Sequence, residues 1–381
     1  MGWSFYSPSF GEVARRLSAL RAELDDPRVL HLAGGVHASA EPEQTLRAGF
    51  DLVAVGEGER TIVALAQALL AGEDPRVSGI WDLDAEGALR RRGRGEVVDL
   101  NDWPPFAVRH DKLGPIELTR GCIYACSFCQ TPFLNRARFR HRSLENVRGW
   151  VTHLRERGFR DYRFLSPTSL SYGSHSTEPD LDALEALLAM VREVIGPERR
   201  LFYGTFPSEL RPEHVTPRAL RLLKRYVDND SLIIGAQSGS ARVLEATHRG
   251  HGVEVIEQAV RCALEEGFRP DVDFLFGLPG ETPADVADSL ALAERLADLG
   301  ARIHGHTFMP LPGTPLRDAA PGSLAEPTRR RLDRLAARGA LYGQWRRQEQ
   351  VAAQLARRAL PVVSGGPGRG TEPPPARRAA E

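Results

Sequence analysis

The chain has 381 residues, 42% hydrophobic and 26% charged, with 50 basic side chains balanced by 50 acidic ones. That length has room for two domains with cores of their own, and a formal net charge of zero excludes the long-range field of a dedicated nucleic-acid or anionic-membrane binder. No run approaches the ~20 apolar residues of a membrane span, and Met1–Phe10 lacks the basic and apolar regions of a secretory signal, so a cytoplasmic protein is expected.

Residues 1–75 read as part of a small α/β unit. An amphipathic helix over Gly11–Leu24 leads to the apolar run Val29–Ala33, which ends in Gly34-Gly35. A second strand, Leu52–Val55, ends in Gly56-Glu57-Gly58, and Thr61–Leu70 has helical spacing. Strands closed by glycine turns and followed by helices predict a parallel sheet. Residues 76–110 are polar, weakly periodic and broken by Trp103-Pro104-Pro105, which suggests a linker or a small ribbon.

Residues 111–320 alternate six strand candidates with helical patterns. The strands are Ile116–Thr119, Tyr162–Ser166, Leu201–Thr205, Leu232–Gly235, Asp271–Phe276 and Ile303–Met309. The helices lie near Leu144–Arg157, Leu181–Ile195, Pro217–Tyr226, Val253–Glu266 and Pro283–Leu299. Five crossovers of helical length predict an all-parallel α/β sheet, curved or closed as a partial barrel, with ligands at the C-terminal strand ends. A charged helix is expected over Ala325–Arg358 within a C-terminal extension of 321–358, and the Pro- and Gly-rich residues 359–381 are expected to be disordered.

Directly after the first barrel strand, Cys122, Cys126 and Cys129 lie on one loop, close enough to converge on a soft-metal centre such as a cubane iron–sulfur cluster. Structural zinc and unligated cysteines are the alternatives. Zinc ordinarily takes four ligands, and His141 stands twelve residues beyond Cys129. Cys262, in a helical pattern, reads as a core residue. The run Arg136, Arg138, Arg140, His141 and Arg142 reads as salt-bridged or solvated rather than as a substrate anchor, and Tyr172, Tyr203 and Phe206 read as core.

The Cys-x3-Cys-x2-Cys loop, with Phe128 before the last cysteine, resembles the signature of the radical S-adenosylmethionine superfamily, and the likeness covers about residues 112–320. It implies a partial (β/α)6 barrel and a [4Fe–4S] cluster on Cys122, Cys126 and Cys129, whose open iron binds S-adenosylmethionine. The likeness also implies cleavage of that molecule to a 5′-deoxyadenosyl radical, with an external reductant such as flavodoxin or ferredoxin. "GAQSGSARVLEATHRGH" (Gly235–His251) and "DFLFGLPGET" (Asp273–Thr282) resemble later segments of that barrel, as does "FMPLPGTPL" (Phe308–Leu316). By that likeness Phe128, Gln237, Ser238, Arg249, Gly277 and Gly280 would contact S-adenosylmethionine. Where many members carry Gly-Gly-Glu after the second strand this chain has Leu165-Ser166-Pro167, so Ser166 is the expected substitute, and Ser208 and Arg211 are expected after the third strand.

Ser4-Phe5-Tyr6, followed by 27 residues and then Gly34-Gly35, resembles the Ser-x-Leu and Gly-Gly parts of Rossmann-like cobalamin-binding domains. The likeness implies an incomplete B12-binding-type domain before the barrel, with Ser4, Gly34 and Gly35 at cobalamin. Its Asp-x-His-x-x-Gly loop would fall before residue 1, so either translation starts upstream or the remnant packs on the barrel without cobalamin. The expected function is radical S-adenosylmethionine chemistry on a small molecule, with methyl transfer where cobalamin is bound and no nucleic-acid or membrane partner. Methylthiotransferase-like sulfur insertion and a non-catalytic iron–sulfur electron carrier are the alternatives.

Overall fold

A computed structural model describes residues 1–356; the expected tail of 359–381 and the end of the charged helix lie outside them. Three short strands, β1 (Gly2–Ser4), β2 (Leu32–Gly34) and β3 (Leu52–Ala54), pair in parallel in the order β1-β2-β3. The segment expected as a linker extends this sheet: β4 (Ile80–Leu83) pairs antiparallel with β3, and β5 (Leu89–Arg90) with β4. Its alternation is masked by the turn residues between the two strands, although Ile80 is fully buried against Leu52, Ala54 and Leu65.

The barrel begins with β6 (Ile116–Glu117). The chain then turns into β7 (Thr119–Arg120), which pairs antiparallel with β8 (Arg140–His141), so the cysteine loop is the crown of a hairpin. The strands β9 (Asp161–Leu165) and β10 (Arg200–Phe202) follow, giving a parallel half-sheet β6-β9-β10. The other half is β11 (Ser231–Gln237), β12 (Arg269–Phe276), β13 (Arg302–Thr307) and β14 (Leu341–Tyr342), also parallel and in that order. A bridge between Leu210 and Ile234 joins the halves into the expected partial barrel.

A seventh barrel strand, β14, replaces the middle of the long helix expected over 325–358. Gly339 and Gly343 adopt left-handed backbone (φ +73 and +122) and stop the helices Glu326–Ala337 and Trp345–Ala356 on either side.

The crossover helices form where the sequence places them because caps and apolar spacing agree. In Leu181–Ile195, Asp180 accepts the Ala183 N–H (2.9 Å) and Gly196 ends the helix at φ +72. Leu184, Leu187, Leu188, Val191 and Ile195 share its buried face against Tyr162, Leu201 and Leu220. Full burial of each such side chain contributes ~1.5–3 kcal/mol. On β12 and β13 the outward residues Val272, Phe274, Phe276 and Ile303 pack with Leu290, Leu296 and Leu332 of the covering helices. The residues between them therefore face the barrel interior.

Candidate active site

The cysteine loop is shaped by its glycine and its hairpin. Gly121 has φ +81, and a Cβ there would stand 2.2 Å from the Arg138 carbonyl oxygen, so the turn into Cys122 requires glycine. The Cys129 N–H donates to the Cys126 carbonyl (3.0 Å), and the Ser127 N–H donates to Thr247 O (3.1 Å), docking the loop beside the segment after β11. Phe128 packs with Val243, Leu278 and Phe308, so it anchors the loop on the ends of β12 and β13.

Cys126 is buried, and two buried guanidiniums point at its sulfur: Arg249 Nη1 at 3.4 Å and Arg211 Nη1 at 3.9 Å. Arg249 also donates to Gly235 O, and Arg211 to Arg249 O and Glu213. Arg211 lies 3.5 Å over the Tyr124 ring, whose hydroxyl meets His214 Nε2 at 3.0 Å. Burial would lower the Arg249 pKa, but Cys126 and Glu209 outweigh it and the group is held more firmly charged. Burial pushes the Cys122 thiol up to about 12 and raises Cys129 as well. Ligation must therefore displace thiol protons, and two fixed cations offset the negative charge that thiolates bring. Three cysteines on one loop, with buried guanidiniums beside the sulfur of Cys126, are the donor chemistry of an iron–sulfur cluster.

A polar floor lies under this loop. A Cβ on Gly235 would stand 3.0 Å from Glu209 Oε2, 3.1 Å from Arg249 Nη2 and 3.1 Å from Gln237 Nε2, so these three side chains converge where glycine leaves room. Gln237 is held there by a bulge between Gly235 and Gln237 and by left-handed backbone at φ +75. Burial raises Glu209 to about 7 against the pull of Arg249, and its carboxyl hydrogen-bonds Asp273. After the third strand the sequence offers Glu209 beside the expected Ser208 and Arg211, but it does not single out Tyr124, Glu213 or His251; their signal is proximity to Arg211 and Arg249, which only the fold supplies.

Of the residues expected at S-adenosylmethionine, the structure brings Arg211 and Arg249 to Cys126 and sets Gln237 beside Arg249 at Gly235. It commits the serines elsewhere. Ser208 Oγ accepts the Ser166 N–H (2.9 Å) and donates to Phe164 O, and Ser166 Oγ donates to Thr168 O, so both hydroxyls finish strand ends. Ser238 Oγ meets Ser289 Oγ at 3.1 Å, tying β11 to the helix Pro283–Asp298. Gly277 faces Gly322 and Ser323, and its N–H donates to Glu281 Oε2 (2.7 Å), while Gly280 O accepts from Arg242. These positions shape the mouth rather than present free polar atoms to it.

The basic run is structural, as expected. Arg140 pairs with Glu57 of the N-terminal sheet, Arg120 with Glu59 (2.7 Å) and Glu117 (2.8 Å), and buried Arg142 donates to the carbonyls of Leu100, Trp103 and Glu117. Cys262 is half-buried against the barrel core, and Tyr172 and Tyr203 are core, whereas Phe206 is 74% exposed rather than buried as expected. In the N-terminal unit, Ser4 and Gly35 meet: a Cβ on Gly35, at φ +83, would lie 2.6 Å from Ser4 Oγ. A cavity of about 270 Å³ runs from Gly34 and Gly35 past Gly56 to Arg120 and Leu134.

Residues 116–293 match the radical SAM superfamily. The barrel is thus a radical SAM domain, of a superfamily of enzymes. Such a domain implies a [4Fe–4S] cluster and S-adenosylmethionine, and the cysteine loop offers three free thiols. The radical SAM barrel and its N-terminal unit share the fold of the methyltransferase TsrM from Kitasatospora setae, solved with cobalamin and a [4Fe–4S] cluster bound (TM-score 0.66, 19% identity, 84% of this chain and 63% of TsrM). They also share that of the cobalamin-dependent radical enzyme OxsB (TM-score 0.61, 19% identity, 79% and 44%). In sequence the chain is 29% identical over 366 residues to a tRNA-2-methylthio-N(6)-dimethylallyladenosine synthase of Halorhodospira halophila, covering 92% of this chain and 69% of that protein. The corresponding Thiobacillus denitrificans enzyme is 32% identical over 251 residues, or 64% and 53%. The chain thus spans only part of the proteins it matches. No helix among the described residues is long and apolar enough to cross a membrane.

Proposed function

We propose that this chain binds a [4Fe–4S] cluster on Cys122, Cys126 and Cys129 and S-adenosylmethionine beside it, and that its reaction is cobalamin-dependent methyl transfer to a small molecule. The observation that carries the reading is the buried Cys126 sulfur flanked by Arg249 and Arg211 at the C-terminal mouth of a parallel barrel. A cluster held by Cys122, Cys126 and Cys129 would supply the electron for reductive cleavage of S-adenosylmethionine. Arg249 holds a fixed cation for the cofactor's carboxylate, Gln237 adds an amide from the bulged strand end, and Phe128 keeps the loop seated on apolar side chains that exclude water. Cobalamin would lie along Gly34, Gly35 and Ser4, where the strand ends approach closely; likeness to TsrM and OxsB supports this part.

Anaerobically reconstituted protein should carry about one cluster, bind cobalamin by absorbance, and release 5′-deoxyadenosine and methionine when reduced with dithionite or a flavodoxin. Absence of both products from a fully clustered sample would defeat the reading and favour an electron carrier. The sequence likeness to tRNA methylthiotransferases favours a second reading, sulfur insertion into tRNA. Mass spectrometry of tRNA from cells with and without the gene separates the two, since only that reading yields a methylthioadenosine derivative.

A further inference from the structure

We infer that Asp273, His304 and His306 form a binding site for one divalent first-row transition cation inside the barrel, separate from the cysteine loop. The three side chains come from adjacent parallel strands, and Gly235, Asp273, His304 and Tyr342 stand in one register row across β11, β12, β13 and β14. Their neighbours Val272, Phe274 and Ile303 pack outward against the helices, so this row faces the lumen.

The donor atoms already have ligand spacing. His304 Nδ1 lies 2.8 Å from Asp273 Oδ1, His306 Nε2 lies 3.1 Å from His304 Nδ1, and His306 Nε2 lies 3.8 Å from Asp273 Oδ1. Donors bound at ~2.0–2.2 Å stand roughly 3.0–3.5 Å apart on one face of a metal. Two imidazoles and a carboxylate, with further positions open to a cavity, are the set used by zinc and by non-haem iron. The His304 ring is held flat against Tyr342, 4.5 Å between centroids and 6° between planes. The Asp273 side chain is 13% exposed and those of the histidines 27% and 26%.

Without a cation the cluster has a proton conflict. The Thr307 N–H donates to Gln348 Oε1 (3.0 Å), which aims Gln348 Nε2 at His306 Nδ1 (3.0 Å) and puts the proton of a neutral His306 on Nε2. That proton faces His304 Nδ1, the same atom that faces the Asp273 carboxylate. If His304 Nδ1 is protonated for Asp273, two N–H groups collide; if not, a lone pair meets a carboxylate. A cation at the centre turns three lone pairs to one partner and moves the His306 proton to Nδ1, where the Gln348 amide opposes it. Gln348 therefore limits affinity, and a carboxylate in its place would accept that proton.

Cluster-loaded full-length protein, freed of loosely bound metal with a mild chelator, is titrated with Co2+ and followed by visible absorption and metal analysis. The expected result is one Co2+ per chain, with ligand-field bands and no sulfur-to-cobalt charge transfer, lost in His306→Ala and Asp273→Asn while cluster iron is unchanged. Gln348→Glu should tighten binding roughly tenfold. No stoichiometric uptake by the unaltered protein would overturn the site, as would uptake retained in the His304→Ala, His306→Ala double variant, a thiolate charge-transfer band, or weaker binding by Gln348→Glu. Iron content and 5′-deoxyadenosine release, read on the unaltered protein, report the radical SAM assignment independently.

Discussion

Two groups of arginines flank the cysteine loop and are partnered in opposite ways. Arg211 and Arg249 are spent on backbone carbonyls and on Glu213, and each still turns one Nη1 to the Cys126 sulfur. Arg120 and Arg140, at the foot of the same hairpin, are saturated by Glu57, Glu59 and Glu117. Similar cations beside one loop thus have different partners. Carboxylate partners fix the hairpin to the N-terminal sheet, whereas the sulfur-facing guanidiniums keep a cation beside Cys126 that, in the proposed function, meets the charge of the cofactors.

The sharpest way to break this contrast is Glu57→Ala. It would leave Arg140 half-buried without its carboxylate, and loss of one member of such a pair costs ~3–5 kcal/mol; denaturant unfolding should show it, with reduced iron retention. If stability were unchanged, the foot of the hairpin would not be held by charge.

Arg249→Gln should act on the other group and in the other way. S-adenosylmethionine affinity should fall roughly ten- to a hundred-fold, the loss of a charge-assisted contact of ~1.5–3 kcal/mol, while cluster iron stays. Isothermal titration with S-adenosylmethionine on the clustered protein distinguishes this from a folding defect.

Acid separates the groups further. Burial alone would raise Glu57, but Arg140, the Val98 N–H and Arg120 outweigh it and hold its carboxyl below the usual range. A carboxyl depressed in the folded state stabilises above its unfolded pKa, and that stability is lost as pH falls through the folded value. Thermal melts should therefore lose stability below about pH 4.5 less steeply in Glu57→Gln, where this linkage is gone. The smallest effect is expected from Arg148→Ala. Its partner Glu193 is solvent-exposed, and the melting temperature should not move measurably.

The cysteine loop, the strand alternation and the glycine turns were legible because each is local: spacing, periodicity and φ are printed in consecutive residues. Arg249 and Gln237 were found by likeness alone. Ser238 was expected at the cofactor by the same likeness, Ser166 in place of Gly-Gly-Glu and Ser208 after the third strand; strand ends also leave N–H and C=O groups to satisfy, and the three hydroxyls bond such groups here. β14 escaped notice since two residues between glycines carry no readable period. The Asp273, His304 and His306 group was hidden for another reason: the pairing of Asp273 with His304 is a register between strands, fixed by packing of Val272 and Ile303.

The clamp at the foot of the hairpin also decides where this protein can be cut. Truncation at residue 111, the boundary suggested by composition, would strip Arg120 and Arg140 of Glu57 and Glu59. It would also take from Arg142 the carbonyls of Leu100 and Trp103. An excised barrel would thus expose orphaned guanidiniums beneath its own cysteine loop, so the smallest expressible unit that keeps a well-formed loop includes the sheet in front of it.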